Sequence, residues 1–180
     1  MTGQPLLTGG LAVVMLAMSA CCVARLAVGW RAHRPVDRPT DTAHALMGMA
    51  MAGMLLPPLR ILSLGAWQIV FLLVAAVFLG RVAAGQVAGR RTGGHDLPHV
   101  LACAAMLYML AALHGTGRQP AAVALLLAVA LLACVVRATD RISVGPAIGR
   151  RAMALLGPQL AACCEIAMGV TMGYMLIAMS

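Results

Sequence analysis

Six long apolar runs, parted by short stretches rich in arginine, glycine and proline, set the pattern of the chain. They cover residues 6–28, 43–59, 61–82, 98–113, 121–136 and 156–179. A helix of about 20 apolar residues crosses the hydrocarbon core of a bilayer, so each run predicts a transmembrane helix. The odd-numbered loops, 29–42, 83–97 and 138–155, carry most of the charge. Loops two and four are tight turns, at Pro57-Pro58 and at 115–120.

Composition narrows the class. The 180 residues are 62% hydrophobic and 10% charged, with a mean hydropathy of +0.95. Soluble domains are roughly a quarter charged, and a soluble globule of this size cannot hide so much apolar surface. A soluble enzyme and a disordered chain are excluded. Membrane barrels show alternating strands and aromatic girdles. Here aromatics are 3% and the apolar runs are continuous, so the fold class predicted is an all-α polytopic membrane protein with six transmembrane helices in a single domain.

The net charge of +8 rests on 13 arginines and no lysine. No basic patch interleaved with aromatics marks nucleic-acid binding. Eleven of the arginines flank the odd loops, Arg25, Arg81 and Arg137 among them, and only Arg60 and Arg118 lie on the other side. The positive-inside rule then puts the odd loops in the cytoplasm and both termini outside. Charge follows the first apolar run instead of preceding it, unlike a signal peptide. Arginine without lysine, with much alanine, suggests a GC-rich bacterial genome and hence the bacterial inner membrane.

A repeat runs through the chain. Arg25, Arg81 and Arg137 are each 56 residues apart, and each closes an odd helix. Asp41-Thr-Ala-His44 opens the second run and Asp96-Leu-Pro-His99 the fourth. Met51 and Met106 lie seven residues after those histidines, and Met54 and Met109 ten after. With Glu165 as origin in the last run, Met168, Met172 and Met175 follow at three, seven and ten, and Met47 holds the third place after His44. The pattern predicts three parallel helical hairpins, about 6–59, 61–115 and 121–180, related by an axis along the membrane normal.

Offsets of zero, three, seven and ten share one helical face. If the three even helices converge, they stack His44, His99 and Glu165 at the cytoplasmic rim. Below come layers of Met51, Met106 and Met172, then Met54, Met109 and Met175. Three thioethers around one point suit Cu(I), a soft cation. Such layers are similar in arrangement to the methionine triads of trimeric Ctr-type copper importers. The competing reading is ordinary: methionine fills gaps in helix packing. Asp41 and Asp96 either orient the histidines, as carboxylates orient metal-bound imidazoles, or Asp41 or Thr42 caps its helix. Glu165 in an apolar run is costly and so marks a function, or it partners an arginine such as Arg137.

The cysteines fall in the cytoplasmic halves of the runs, where disulfides are not expected. Cys103, Cys163 and Cys164 are candidate extra soft ligands beside His99 and Glu165, or simply small buried hydrophobes. His114, 15 residues after His99, allows a b-type haem reading, but only His44 could supply a second axial ligand. His33 and His95 read as solvated loop residues. No nucleotide-binding or hydrolase motif is present, so neither catalysis nor ATP-driven pumping is expected.

The strings DTAHALMGMAMAGMLLP, PHVLACAAMLYMLAALHG and EIAMGVTMGYMLIAM resemble an actinobacterial family of small membrane proteins known only as a domain of unknown function. The resemblance covers most of the chain and implies that origin and a six-helix architecture. The leading functional expectation is binding, then transport or handover, of a soft metal ion, Cu(I) first. Its rivals are an accessory subunit packed on a membrane-protein partner, and a haem-binding electron carrier.

Overall fold

A computed structural model describes residues 5–31, 37–89, 93–115, 120–143 and 158–179. Among the described residues there are six α-helices and no strands: α1 (Pro5–Arg31), α2 (Arg38–Leu55), α3 (Leu64–Val87), α4 (Gly93–Leu113), α5 (Ala121–Ser143) and α6 (Pro158–Met179). A 3-10 turn, Pro57–Leu59, follows α2.

Most helices outrun the apolar segments that announce them. α2 begins at Arg38, not at Ala43, because Pro39 fits the first turn, where its missing N–H costs nothing. The N-cap position is therefore Asp37, and Asp41 and Thr42 already lie inside the helix, which removes the capping role expected of them. α2 stops at Leu55 and does not reach residue 59. The residue ahead of a proline avoids helical backbone, and Leu56, before Pro57, is extended at φ −126° and ψ 96°. α3 starts behind Ser63, whose hydroxyl accepts the Ala66 N–H at 3.2 Å. α4 starts at Gly93, so His95 is helical and not a loop residue.

Five of the helices are long and apolar enough to cross a membrane: Leu6–Arg31, Leu64–Val87, Asp96–Leu113, Ala121–Asp140 and Ala161–Ala178. The expected sixth, α2, is not among them. Arg38, Thr40, Asp41, Thr42 and His44 make its first two turns too polar, yet most of α2 from Asp41 to Gly53 is buried. Lipid never needs to meet that surface. The other helices present apolar side chains outward, such as Leu72, Leu73 and Val77 on α3 and Leu126, Val129 and Leu132 on α5.

The chain divides into two compact units. One holds Met1–Ile61 with Arg137–Met168, and the other Leu62–Val136 with Gly169–Ser180. In the first, α1 and α2 form an antiparallel hairpin. The Ser19 hydroxyl donates to the Ala45 carbonyl at 2.8 Å. Gly48 lies so close to α1 that a Cβ there would stand 2.9 Å from the Met15 carbonyl oxygen. In the second unit, α3 and α4 form the corresponding hairpin. It is tied at one end by Arg81 and Asp96, 3.0 Å apart, and at the other by Gln68 and His114 at 3.5 Å. Gly169 of α6 receives Val135 of α5 in the space a side chain would take. Small residues let helix backbones approach in this way.

Candidate metal centre

The site grows out of one ion pair. Arg25 comes near the end of α1 and Asp41 in the first turns of α2, so the antiparallel hairpin sets them face to face. Arg25 Nε is 3.2 Å from Asp41 Oδ1 and 3.3 Å from Oδ2. Both side chains are buried, at 7% and 3% exposure. Asp41 thus answers Arg25, a partner that the Asp-x-x-His spacing alone does not reveal.

One turn further from the end of the hairpin, Cys22 faces His44. The Cys22 thiol, an Asp41 carboxylate oxygen and a His44 ring nitrogen all lie within 4.8 Å of one another, and all three residues are buried. Cys164 of α6, also fully buried, brings its Sγ to 4.0 Å from Cys22 Sγ. Ala45 and Met18 pack around the two thiols. The arrangement gathers a thiol, an imidazole and a carboxylate among buried side chains, with a second thiol against the first. Thiolate and imidazole are donors that Cu(I) and Zn(II) share.

Cys22 was missed from the sequence, and a signal for it exists. It stands three residues before Arg25, as Cys134 does before Arg137 and Phe78 before Arg81. The second hairpin builds the same frame with that one difference. Its Arg81 pairs with Asp96, and Phe78 stacks on the His99 ring, centroids 4.7 Å apart and planes 12° from parallel. The Arg81 guanidinium also lies over the Phe78 ring, 5.6 Å from its centroid. An aromatic ring stands at the position of a thiol, so His99 stacks on Phe78 where His44 has Cys22 beside it.

The remaining expected site residues divide by burial. Met51, Met106, Met109 and Met172 are fully buried, Met47, Met168 and Met175 nearly so, and Met54 half-buried. Met51 belongs to the first unit, and Met106, Met109, Met172 and Met175 to the second. Glu165 is half-buried. Of the extra thiols, Cys103 and Cys164 are fully buried and Cys163 is exposed. On α2, Met47, Met51 and Met54 stand about a third of a turn from the Asp41, Ala45 and Gly48 stripe that faces α1, with His44 between. His33, Arg118 and residues 144–157 lie outside the described residues.

Fold and site together define a helical protein of membrane character with a buried thiol–imidazole–carboxylate cluster. The chain belongs to the family described as Domain of unknown function (DUF5134), which matches residues 36–179. Asp41, His44 and Cys164 fall within the matched segment, and Cys22 and Arg25 precede it. No curated protein and no solved structure matches the chain.

Proposed function

We propose that this protein sits in the bacterial inner membrane and binds a soft metal ion, Cu(I) first, at Cys22 and His44, for transport or handover. The observation that carries the reading is the convergence of Cys22, Asp41 and His44 donors within 4.8 Å in a buried place. α2 acts as the sixth crossing, shielded from lipid by its neighbours. From His44 its buried Met47 and Met51 continue as thioethers down one stripe, at about 1.5 Å of rise per residue, and offer the ion a path toward mid-membrane. Met54 extends the α2 series, and Met106 and Met109 on α4 and Met172 and Met175 on α6 recur at the same offsets from His99 and Glu165. The role is binding and passage, with no catalytic step.

The test is Cu(I) competition between the purified protein and a chromophoric chelator, with metal content and an absorption spectrum taken from protein isolated from its native host. Cys22→Ser and His44→Ala should each lower Cu(I) affinity at least tenfold, because each deletes a donor. His99→Ala should leave it within about twofold, because Phe78 already closes that place. Replacing Met51, Met106 and Met172 together by leucine keeps volume and apolarity, so folding should survive while passage of Cu(I) slows. A triple variant that binds and moves Cu(I) like the parent would make the methionines packing and favour an accessory subunit. A Soret band would turn the reading to haem.

A further inference from the structure

The structure assigns Cys164 as the second thiolate of this centre, so that a bound ion is held by Cys22, Cys164 and His44 and ties α6 to the α1–α2 hairpin. The inference rests on the metal reading above and adds the ligand that the first helical pair lacks. Two adjacent cysteines occur in each helix, Cys21-Cys22 in α1 and Cys163-Cys164 in α6. In each pair the second member is buried, and the two buried members meet at 4.0 Å. Metal–thiolate bonds run about 2.3 Å. Two such bonds spanning this separation enclose an angle of about 120° at the ion, which suits three donors in a plane or four in a tetrahedron. The sulfurs need not move to accept it. His44, beside Cys22, supplies the nitrogen by turning its ring toward the two sulfurs, because Cys164 lies outside the trio of donors gathered within 4.8 Å.

Asp41 is then a positioning residue. Both of its oxygens lie against Arg25 Nε, and this fixes the carboxylate on the polar side of the cluster. The charge balance identifies a convenient probe. On binding, each thiol gives up its proton to solvent. Two thiolates and the Asp41 carboxylate then face Arg25 and the ion, and the sum is zero for a divalent ion and minus one for Cu(I). Cd(II), soft and divalent, therefore meets the same donors without a charge penalty. No oxidant or reductant takes part.

The experiment is a Cd(II) titration of the full chain in detergent, kept reduced with a phosphine. The ultraviolet thiolate-to-Cd(II) charge-transfer band grows with the number of bound thiolates. The parent should show a band for two thiolates. Cys22→Ser and Cys164→Ser should each halve it, and Cys164→Ala should match Cys164→Ser while keeping a small apolar group in the packing. Cys21→Ser and Cys163→Ser should leave the band unchanged. Cd(II) should also raise the melting temperature of the parent and not of the Cys164 variants. A full-strength band in both Cys164 variants overturns this inference and leaves the metal reading standing. No band in the parent overturns both.

Discussion

At the scale of single residues, the strongest commitment in the first hairpin is the Arg25–Asp41 pair. Removing one partner of a buried pair strands the other charge, at a cost of about 3–5 kcal/mol. Asp41→Asn should therefore lower the melting temperature sharply in detergent. Asp96→Asn in the second hairpin should cost about 1 kcal/mol or less, because the Arg81 side chain is 35% exposed and its charge can turn to water. Equal losses in the two variants would refute this account of the pairs. The arginines at 56-residue spacing and the two Asp-x-x-His strings were legible in the sequence as a repeat. Their bonding was not, because a sequence shows that Arg25 and Asp41 recur but not that a hairpin turns one onto the other. The same blindness hid Cys22. A cysteine in an apolar run looks like any small hydrophobe until the facing helix brings His44 beside it.

At the scale of elements, apolar periodicity revealed every helix but placed several ends too early or too late. It measures compatibility with lipid, whereas helix ends follow backbone rules. Pro39 extended α2 upstream and Pro57 ended it early. Over its full length α2 is also less apolar than the other helices, since a helix enclosed by protein can carry Asp41 and His44. What holds α2 on α1 is close approach at Gly48, where a Cβ would sit 2.9 Å from the Met15 oxygen and 3.3 Å from Ser19 Cβ. The first of these is backbone and cannot swing aside. Gly48→Ala should cost about 1–3 kcal/mol through overpacking and should weaken metal binding with it, because the same hairpin aligns Cys22 with His44. Gly80 on α3 has nothing within 4 Å, so Gly80→Ala should be neutral or slightly stabilising, in line with helix propensity. Thermal melts of the two variants side by side check both signs.

At the scale of the whole molecule, the open question with the largest consequence is which way the chain faces. Arg25 and Arg81 count toward the odd-loop excess, and both are matched by carboxylates, Asp41 and Asp96. Orientation follows the number of arginines near the ends of spans and owes little to acidic residues, so the pairing does not erase their vote. Setting both aside still leaves nine arginines beside the odd loops against Arg60 and Arg118. The excess is also distributed: Arg31, Arg34 and Arg38 beside the first odd loop, Arg90 and Arg91 in the second, Arg137, Arg141, Arg150 and Arg151 around the third. No single charge decides it. We predict that both termini face outward and that the Cys22–His44 centre lies toward the cytoplasmic end of its hairpin, within reach of a reducing compartment that keeps the thiols free. A C-terminal epitope should then be reached by antibody or protease in cells whose outer layers are permeabilised and whose inner membrane is intact. Protection of that epitope until the inner membrane is broken would reverse the orientation, place the thiols on the oxidising side, and turn their 4.0 Å separation toward disulfide formation in place of metal binding.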